Sequence, residues 1–263
     1  MNMFDTYRNL YDLKGKLALV AGGGGGIGSA IGEGLAAFGA KVVIADLFDK
    51  QAEEVAKKIT EAGGEAYTIH LDVTDVKGMD ASIERLCQNV GVPNILINCV
   101  GSHKEAFALE YTEADWDRIF NINLKGAFFL SQSVAKRQIP MGNGGKHVHV
   151  TSVRSMLALA GRGYISYCAS KGGMNLMIKQ LSVEWAKHNI HVNGIAPTFT
   201  RTMLVKKYLE DPDFYNPLVA RIPLGRVCEP IDLAALAIYL VAPASDFITG
   251  QIIFADGGLT ATQ

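Results

Sequence analysis

Short apolar runs alternate along the chain with longer stretches in which apolar residues return every three or four positions. Residues 16–21 predict a buried strand, followed by a helix over about 26–38. Lys41–Asp46, rich in Val and Ile, is a second strand. Residues 49–62 form an amphipathic helix that Gly63 and Gly64 close with a C-cap signal. Further strands are predicted over 65–71, 94–98, 146–151, 190–196 and 251–255. Helices are predicted over 76–90, 164–188 and 229–241, and over a long region to about Ile139 that Thr112 opens as a capping box with Asp115. Residues 198–229, which hold Pro212, Pro217 and Pro223, read as irregular. Strands alternating with helices at this spacing imply βαβ units: one α/β domain with a parallel sheet covered on both faces.

The chain has 263 residues, with 25 Lys+Arg against 26 Asp+Glu and a formal net charge of -1. That balance argues against nucleic acid as a partner and against a polybasic membrane surface. With 49% hydrophobic and 19% charged residues, the chain can bury a core rather than stay disordered. The uncharged stretch 17–32 is interrupted by glycines and too short for a bilayer span. Asp5, Arg8 and Asp12 break up the N-terminus, so it does not read as a signal peptide. Within a 1–13 extension, Phe4, Tyr7 and Tyr11 are expected to form one helical face that packs on the body. Cys87, Cys99, Cys168 and Cys228 form no Cys-x-x-Cys pair and have no histidine cluster beside them. No metal site is expected, and the reading is of reduced thiols in a cytoplasmic protein.

The first strand runs directly into Gly22-Gly23-Gly24-Gly25-Gly26-Ile27-Gly28. Two templates fit: Gly23, Gly25 and Gly28 as Gly-x-Gly-x-x-Gly, or Gly22, Gly26 and Gly28 as Gly-x-x-x-Gly-x-Gly. Either gives a tight turn, a close approach of backbone to a pyrophosphate, and a helix N-terminus aimed at the phosphates. Asp46 closes the second strand, where a carboxylate accepts hydrogen bonds from both adenosine ribose hydroxyls and repels a 2′-phosphate. With Leu47 beside it and no basic neighbour, the expected cofactor is NAD.

Tyr167 and Lys171 stand four apart on a predicted helix and so share one face. A neighbouring ammonium favours the phenolate, and the phenol can then exchange a proton with an alcohol. Thr151-Ser152 at the end of strand five and Asn121-Ile122-Asn123 after strand four belong to the same expected crevice, at the carboxyl ends of the strands.

Taken together, Gly22–Gly28, Asp46, Leu71-Asp72-Val73, Asn98–Gly101, Asn123, Ser152, Tyr167, Lys171, residues 197–202 and Asp256-Gly257-Gly258 resemble the short-chain dehydrogenase/reductase family over nearly all of residues 14–259. The resemblance implies a single Rossmann-type, doubly wound domain with a seven-stranded parallel sheet. Tyr167 would be the acid/base, Lys171 would hold the nicotinamide ribose and depress the tyrosine pKa, Ser152 would bind the substrate oxygen, and Asn123 would seat a water in the proton relay. Cofactor contacts would come from Gly22, Gly26, Ile27, Gly28, Asp46 and Leu47, from Asp72 and Val73 at the adenine, from Asn98 and Gly101, and from Pro197 and Thr202 near the nicotinamide and its phosphates. A homotetramer built on the two long helices is also implied.

The chain departs from the family pattern at Ala21, Cys99-Val100 and Thr198, and in spacing. Ser152 to Tyr167 is two residues longer than the usual interval, and Ser155 is one residue short of it. Ser152 is preferred because it ends the strand, which puts the insertion in 155–163. Around the expected carbinol site stand His103, Lys104 and Arg154, flanked by Arg162 and Arg201. Arg pairs bidentately with carboxylates, so these cations suggest an acidic substrate. The C-terminal half is similar to sugar-acid and polyol dehydrogenases of the gluconate 5-dehydrogenase type. Residues 198–229, with Phe199, Met203, Leu204, Tyr208, Phe214 and Tyr215, would form the substrate lid. The reading is of an NAD-dependent enzyme interconverting a secondary alcohol and a ketone. A 3-oxoacyl-thioester or hydroxysteroid reductase and a non-catalytic NAD sensor stand as alternatives.

Overall fold

All seven predicted strands form: β1 (Leu17–Ala21), β2 (Lys41–Asp46), β3 (Ala66–His70), β4 (Ile95–Asn98), β5 (Gly145–Val150), β6 (Ile190–Pro197) and β7 (Ile252–Ala255). They lie in one parallel sheet of order β3-β2-β1-β4-β5-β6-β7. A computed structural model describes residues 2–262. Met1 and Gln263, the ends of the expected single domain, and the side chain of Leu204 in the expected lid lie outside the described residues. The helices are α1 (Met3–Asn9), α2 (Gly26–Ala37), α3 (Asp49–Glu61), α4 (Val76–Asn89), α5 (Glu113–Phe120), α6 (Gly126–Met141), α7 (Ile165–Trp185), α8 (Lys206–Leu209), α9 (Pro212–Val219) and α10 (Pro230–Val241). Among the described residues no helix is long and apolar enough to cross a membrane.

Alternation along the strands divides the core. Ala18, Val20, Val42 and Ile44 pack with α2, α3 and α10, whereas Leu17, Leu19, Ala21 and Val43 pack with α4 and α6. Both parities of β1 are therefore buried, which explains why it reads as a continuous apolar run. Each fully buried Leu, Ile or Val contributes about 1.5–3 kcal/mol. Strand order reverses at β1, which pairs with β2 on one side and β4 on the other. A crevice opens there, beyond the carboxyl ends of the strands.

Three expectations change. The region from Thr112 to Ile139 is not one helix. Thr112 caps α5 by accepting from the Asp115 amide, but Asn121–Lys125 winds as a π-helical turn before α6, with the Gly126 amide donating to the Asn121 carbonyl. A 3.6-residue period cannot register that widened turn. The segment 198–229 is not wholly irregular. It contains α8 and α9, and α9 starts where the Asp211 side chain accepts from the Asp213 amide and Pro212 takes the first turn. Proline is there a start signal rather than a breaker. Finally, α1 forms but buries nothing: Phe4 and Tyr7 are exposed. Beyond α1 the chain is tied to the body, where Tyr11 stands near Tyr239, the Ala244 amide donates to the Leu10 carbonyl and Leu13 is fully buried.

Candidate active site

β1 ends at Ala21, and the chain turns through Gly22 at φ 72°. A Cβ on Gly22 would stand 3.0 Å from the Cys99 and Val100 backbone, and one on Gly28 would stand 2.1 Å from the Gly22 carbonyl oxygen. Only glycine permits these approaches. At Gly25 a Cβ would meet nothing nearer than 3.6 Å, whereas at Gly26 it would lie 3.0 Å from the Thr202 side chain. The loop thus follows the Gly22, Gly26, Gly28 template. It leaves a backbone-lined cradle at the N-terminus of α2, which fits a pyrophosphate.

The Asp46 carboxylate is fixed over this loop: Oδ2 accepts from the Gly24 amide at 2.9 Å and Oδ1 from the Phe48 amide at 3.1 Å. Among the described residues no basic side chain forms an ion pair with it. Leu47 beside it is exposed. Asp72 accepts from the Thr74 hydroxyl and amide, which hold its carboxyl below the usual range. Val73 is buried, with the Gly126 backbone close against it. Asn98 turns inward: its Nδ2 donates to His149 Nδ1 and its Oδ1 accepts from the Val100 amide. Gly101 lies against Lys171, a Cβ there standing 3.4 Å from Nζ.

A cleft of about 260 Å³ runs from Ile27, Pro197 and Thr202 past Lys171, Tyr167 and Ser152 to Arg154, Tyr164, Arg162 and the lid residues Phe199, Tyr208 and Phe214. Both Tyr167 and Lys171 come from α7. Lys171 Nζ donates to the Val150 carbonyl at 2.8 Å and stands 5.8 Å from the centre of the Tyr167 ring. Burial pulls the lysine down to about 8. Burial also pushes the Tyr167 phenol up, against the hydrogen bond with Ser152 and the charge of Arg154, which lower it. Within the chain itself, the charge acting downward on the phenol is the guanidinium of Arg154.

Ser152 directly faces Tyr167, and its Oγ accepts from the Arg154 amide at 3.1 Å. Ser155 Oγ instead donates to the Ser152 carbonyl and accepts from Asn175 Nδ2, and Ser155 does not line the cleft. Of the two serines, geometry brings Ser152 to the site. The long interval to Tyr167 is taken up by the loop that follows Ser155.

The π-helical turn buries Asn123 completely. Its Oδ1 accepts from the Ser102 amide at 2.8 Å, and its Nδ2 donates to the Ser102 carbonyl at 2.9 Å and to Ser170 Oγ at 3.0 Å. The amide is thereby used in holding the 101–102 backbone beside Lys171.

The rim cations separate clearly. Lys104 lies 3.8 Å from Asp115 and does not line the cleft. Arg162 donates to both Glu105 oxygens at 2.8 Å, and Arg201 pairs with Glu229 at 2.8 Å. His103 lines the cleft with its ring edge-on to Tyr164 and Tyr167. Arg154 also lines it, and among the described residues no carboxylate pairs with it.

The chain was compared with known proteins. The profile of the family described as enoyl-(acyl carrier protein) reductase matches residues 22–260. The chain belongs to the short-chain dehydrogenase/reductase family. Its relatives are dehydrogenases and reductases acting on CH–OH groups, and it is an oxidoreductase of that family. It is 36% identical to the 2-dehydro-3-deoxy-D-gluconate 5-dehydrogenase of Dickeya dadantii (strain 3937), covering 96% of this chain and 98% of that protein. It is 32% identical to the L-tagatose-forming galactitol 2-dehydrogenase of Cereibacter sphaeroides, over 97% and 98% of the two chains. Among solved structures, the gluconate 5-dehydrogenase of Burkholderia cenocepacia J2315, in complex with NADP and tartrate, superposes with a TM-score of 0.92. The identity is 34%, over 96% of this chain and 98% of that one.

Two groups at the site escaped the sequence reading. His149 is fully buried on β5, with Nδ1 accepting from Asn98 and Nε2 donating to Ser131 Oγ. Tyr164 lines the cleft beside Tyr167, 6.4 Å between ring centres. The first sits in an alternating strand, where a histidine looks like any inward position. The second reads only as the first position of the predicted helix, and it stands as the N-cap of α7.

Proposed function

We propose that the protein is an NAD(H)-dependent oxidoreductase interconverting a secondary alcohol and a ketone of a sugar acid or polyol. The observation that carries this reading is the convergence of Ser152, Tyr167 and Lys171 in one cleft that opens onto the glycine cradle and Thr202. When bound there, the nicotinamide supplies the hydride acceptor or donor. Ser152 and Tyr167 hold the substrate oxygen between them. The phenol takes the hydroxyl proton in oxidation and returns one in reduction. Lys171 and Asn123 keep the Gly101–Ser102 backbone and the floor of the cleft in place. Asp46 supports NAD over NADP, since its carboxylate suits a ribose diol and opposes a 2′-phosphate. The bound NADP belongs to the relative from Burkholderia. We further infer a cytoplasmic homotetramer joined through the long helices, which the exposed Leu176 and Val183 of α7 support.

The test is NADH formation by the purified protein with aldonates, polyols, hydroxysteroids and hydroxyacyl thioesters, with NADP run in parallel. Turnover confined to steroids or thioesters sinks the proposed substrate class, and NAD binding without any turnover favours a sensor. Asp46→Ser is expected to shift kcat/KM toward NADP about ten- to hundredfold, as lost hydrogen bonds and relieved repulsion of about 1–3 kcal/mol dictate. An unchanged cofactor ratio in this variant counts against the role given to Asp46.

A further inference from the structure

Arg154 is 7% exposed and sits on the single 3-10 turn Val153–Ser155 that follows Ser152. A guanidinium stays charged in proteins, and an uncompensated charge at such burial is costly. Its neighbours do not compensate it. Nη1 donates to the main-chain carbonyls of Ala158 and Leu157, which leaves the Nε–Nη2 edge without a hydrogen bond among the described residues. Among the described residues no carboxylate acts on it: burial lowers its pKa first, and the charges it feels come from Cys168, Arg221, Tyr164 and Tyr167. The other cations near the cleft contrast with it. Arg162, Lys104 and Arg201 each stand beside a carboxylate of the chain.

The placement of Arg154 is also tied to the reacting groups. Its amide donates to Ser152 Oγ, so serine and guanidinium move as one unit. Its charge reaches the Tyr167 phenol. The carbonyls that hold Nη1 belong to the loop between Ser155 and Tyr167, which is longer here than the family interval. Insertion and arginine thus form one device that holds a guanidinium, its Nε–Nη2 edge unbonded among the described residues, at the cleft that Ser152 and Tyr167 also line.

We propose that Arg154 is the carboxylate anchor of the substrate, so that the protein acts on a hydroxy acid rather than a neutral polyol. The inference rests on the dehydrogenase reading above and narrows it. The substrate carboxylate accepts from Nε and Nη2, replaces the missing counter-charge, and fixes which carbinol carbon lies between Ser152 and Tyr167. A neutral polyol of the same length leaves the guanidinium uncompensated.

The experiment uses matched probes, D-gluconate with D-glucitol and D-galactonate with galactitol, on the wild type, Arg154→Lys and Arg154→Gln. Steady-state kinetics are joined by fluorescence titration of the NADH-loaded protein with each probe. The wild type is expected to prefer the acid of a pair. In Arg154→Gln the acid-to-polyol ratio of kcat/KM falls about 30- to 100-fold, chiefly through KM, as loss of one partner of a desolvated charge pair dictates. Arg154→Lys recovers part of it. The titration shows the same loss of acid binding. If the arginine only braces its loop, acid and polyol weaken in proportion and the ratio holds, which overturns the proposal. Preference of the wild type for the polyols, or no acid binding in the titration, overturns it as well. Acid binding that depends on Arg154 without turnover upholds the anchor and rejects the dehydrogenase reading for those acids. Acid turnover indifferent to Arg154 does the reverse.

Discussion

Tyr167→Phe is expected to lower kcat by about three orders of magnitude, within the 10²–10⁴-fold range of a lost general acid–base, while NADH still binds. The change removes one oxygen and keeps the ring, so the edge-on contact with His103 and the packing against Tyr164 persist. Ser152 keeps the Arg154 amide as a partner. The pH profile carries the more specific signature. Burial raises the Tyr167 phenol, and Ser152 and Arg154 only oppose that rise. Oxidation needs the deprotonated form, so its kcat/KM climbs with pH through neutrality into the alkaline range. Reduction needs the phenol and falls where oxidation gains. In Tyr167→Phe the climbing limb of oxidation disappears. Stopped-flow or steady-state profiles from pH 6 to 10 decide it, and a variant retaining the limb assigns the titration to another group. Lys171, brought down to about 8, is a second group of the cleft that titrates in that window. Its deprotonation removes a charge from the cleft floor and bends the profile downward instead.

Much of the site was legible because it is local. Tyr167 and Lys171 are one helical turn apart, the glycine run follows its strand without a gap, and Asp46 ends β2 where its pattern ends. The choice between Ser152 and Ser155 needed only the strand end, and of the two Ser152 is the one that lines the cleft. What could not be read is non-local. Arg162 meets Glu105 57 positions away and Arg201 meets Glu229 28 positions away, so five cations that looked equivalent along the chain differ completely in space. Arg154 stands apart because among the described residues no carboxylate pairs with it, a fact no spacing encodes. The widened turn at Asn121–Lys125 defeats a helical period, although it is what buries Asn123. Phe4 and Tyr7 share a helical face as expected, yet the described chain offers that face nothing to pack on.

Acid is expected to destabilise the fold well before the carboxylates titrate, and β5 is the cause. His147 and His149 are fully buried, and burial takes both down to about 3. Their bonding requires neutral rings. His147 Nε2 donates to Gln138 Oε1 while its Nδ1 has no partner, and His149 Nδ1 must accept from Asn98. The unfolded chain binds protons at these residues from an ordinary pKa near 6.5, so below that pH it holds more protons than the folded one and stability falls. Each histidine costs about 1.4 kcal/mol per pH unit once below its unfolded value, or about 2 kcal/mol by pH 5, so the pair removes about 4 kcal/mol. Stability is thus fully present above pH 7 and lost on descent toward 3. Asp72, Asp80 and Asp232 have lowered pKa values, and their losses come only below the ordinary carboxylate range, so the window from 6.5 to 5 isolates the histidines. Urea unfolding at pH 7.5, 6 and 5 measures the slope. His149→Asn, whose amide oxygen can still accept from Asn98, should remove about half of it; an unchanged slope would place the proton uptake elsewhere. The consequence reaches the site as well. The charge of Lys171 acts in the same direction as burial on His149 and helps to keep it neutral.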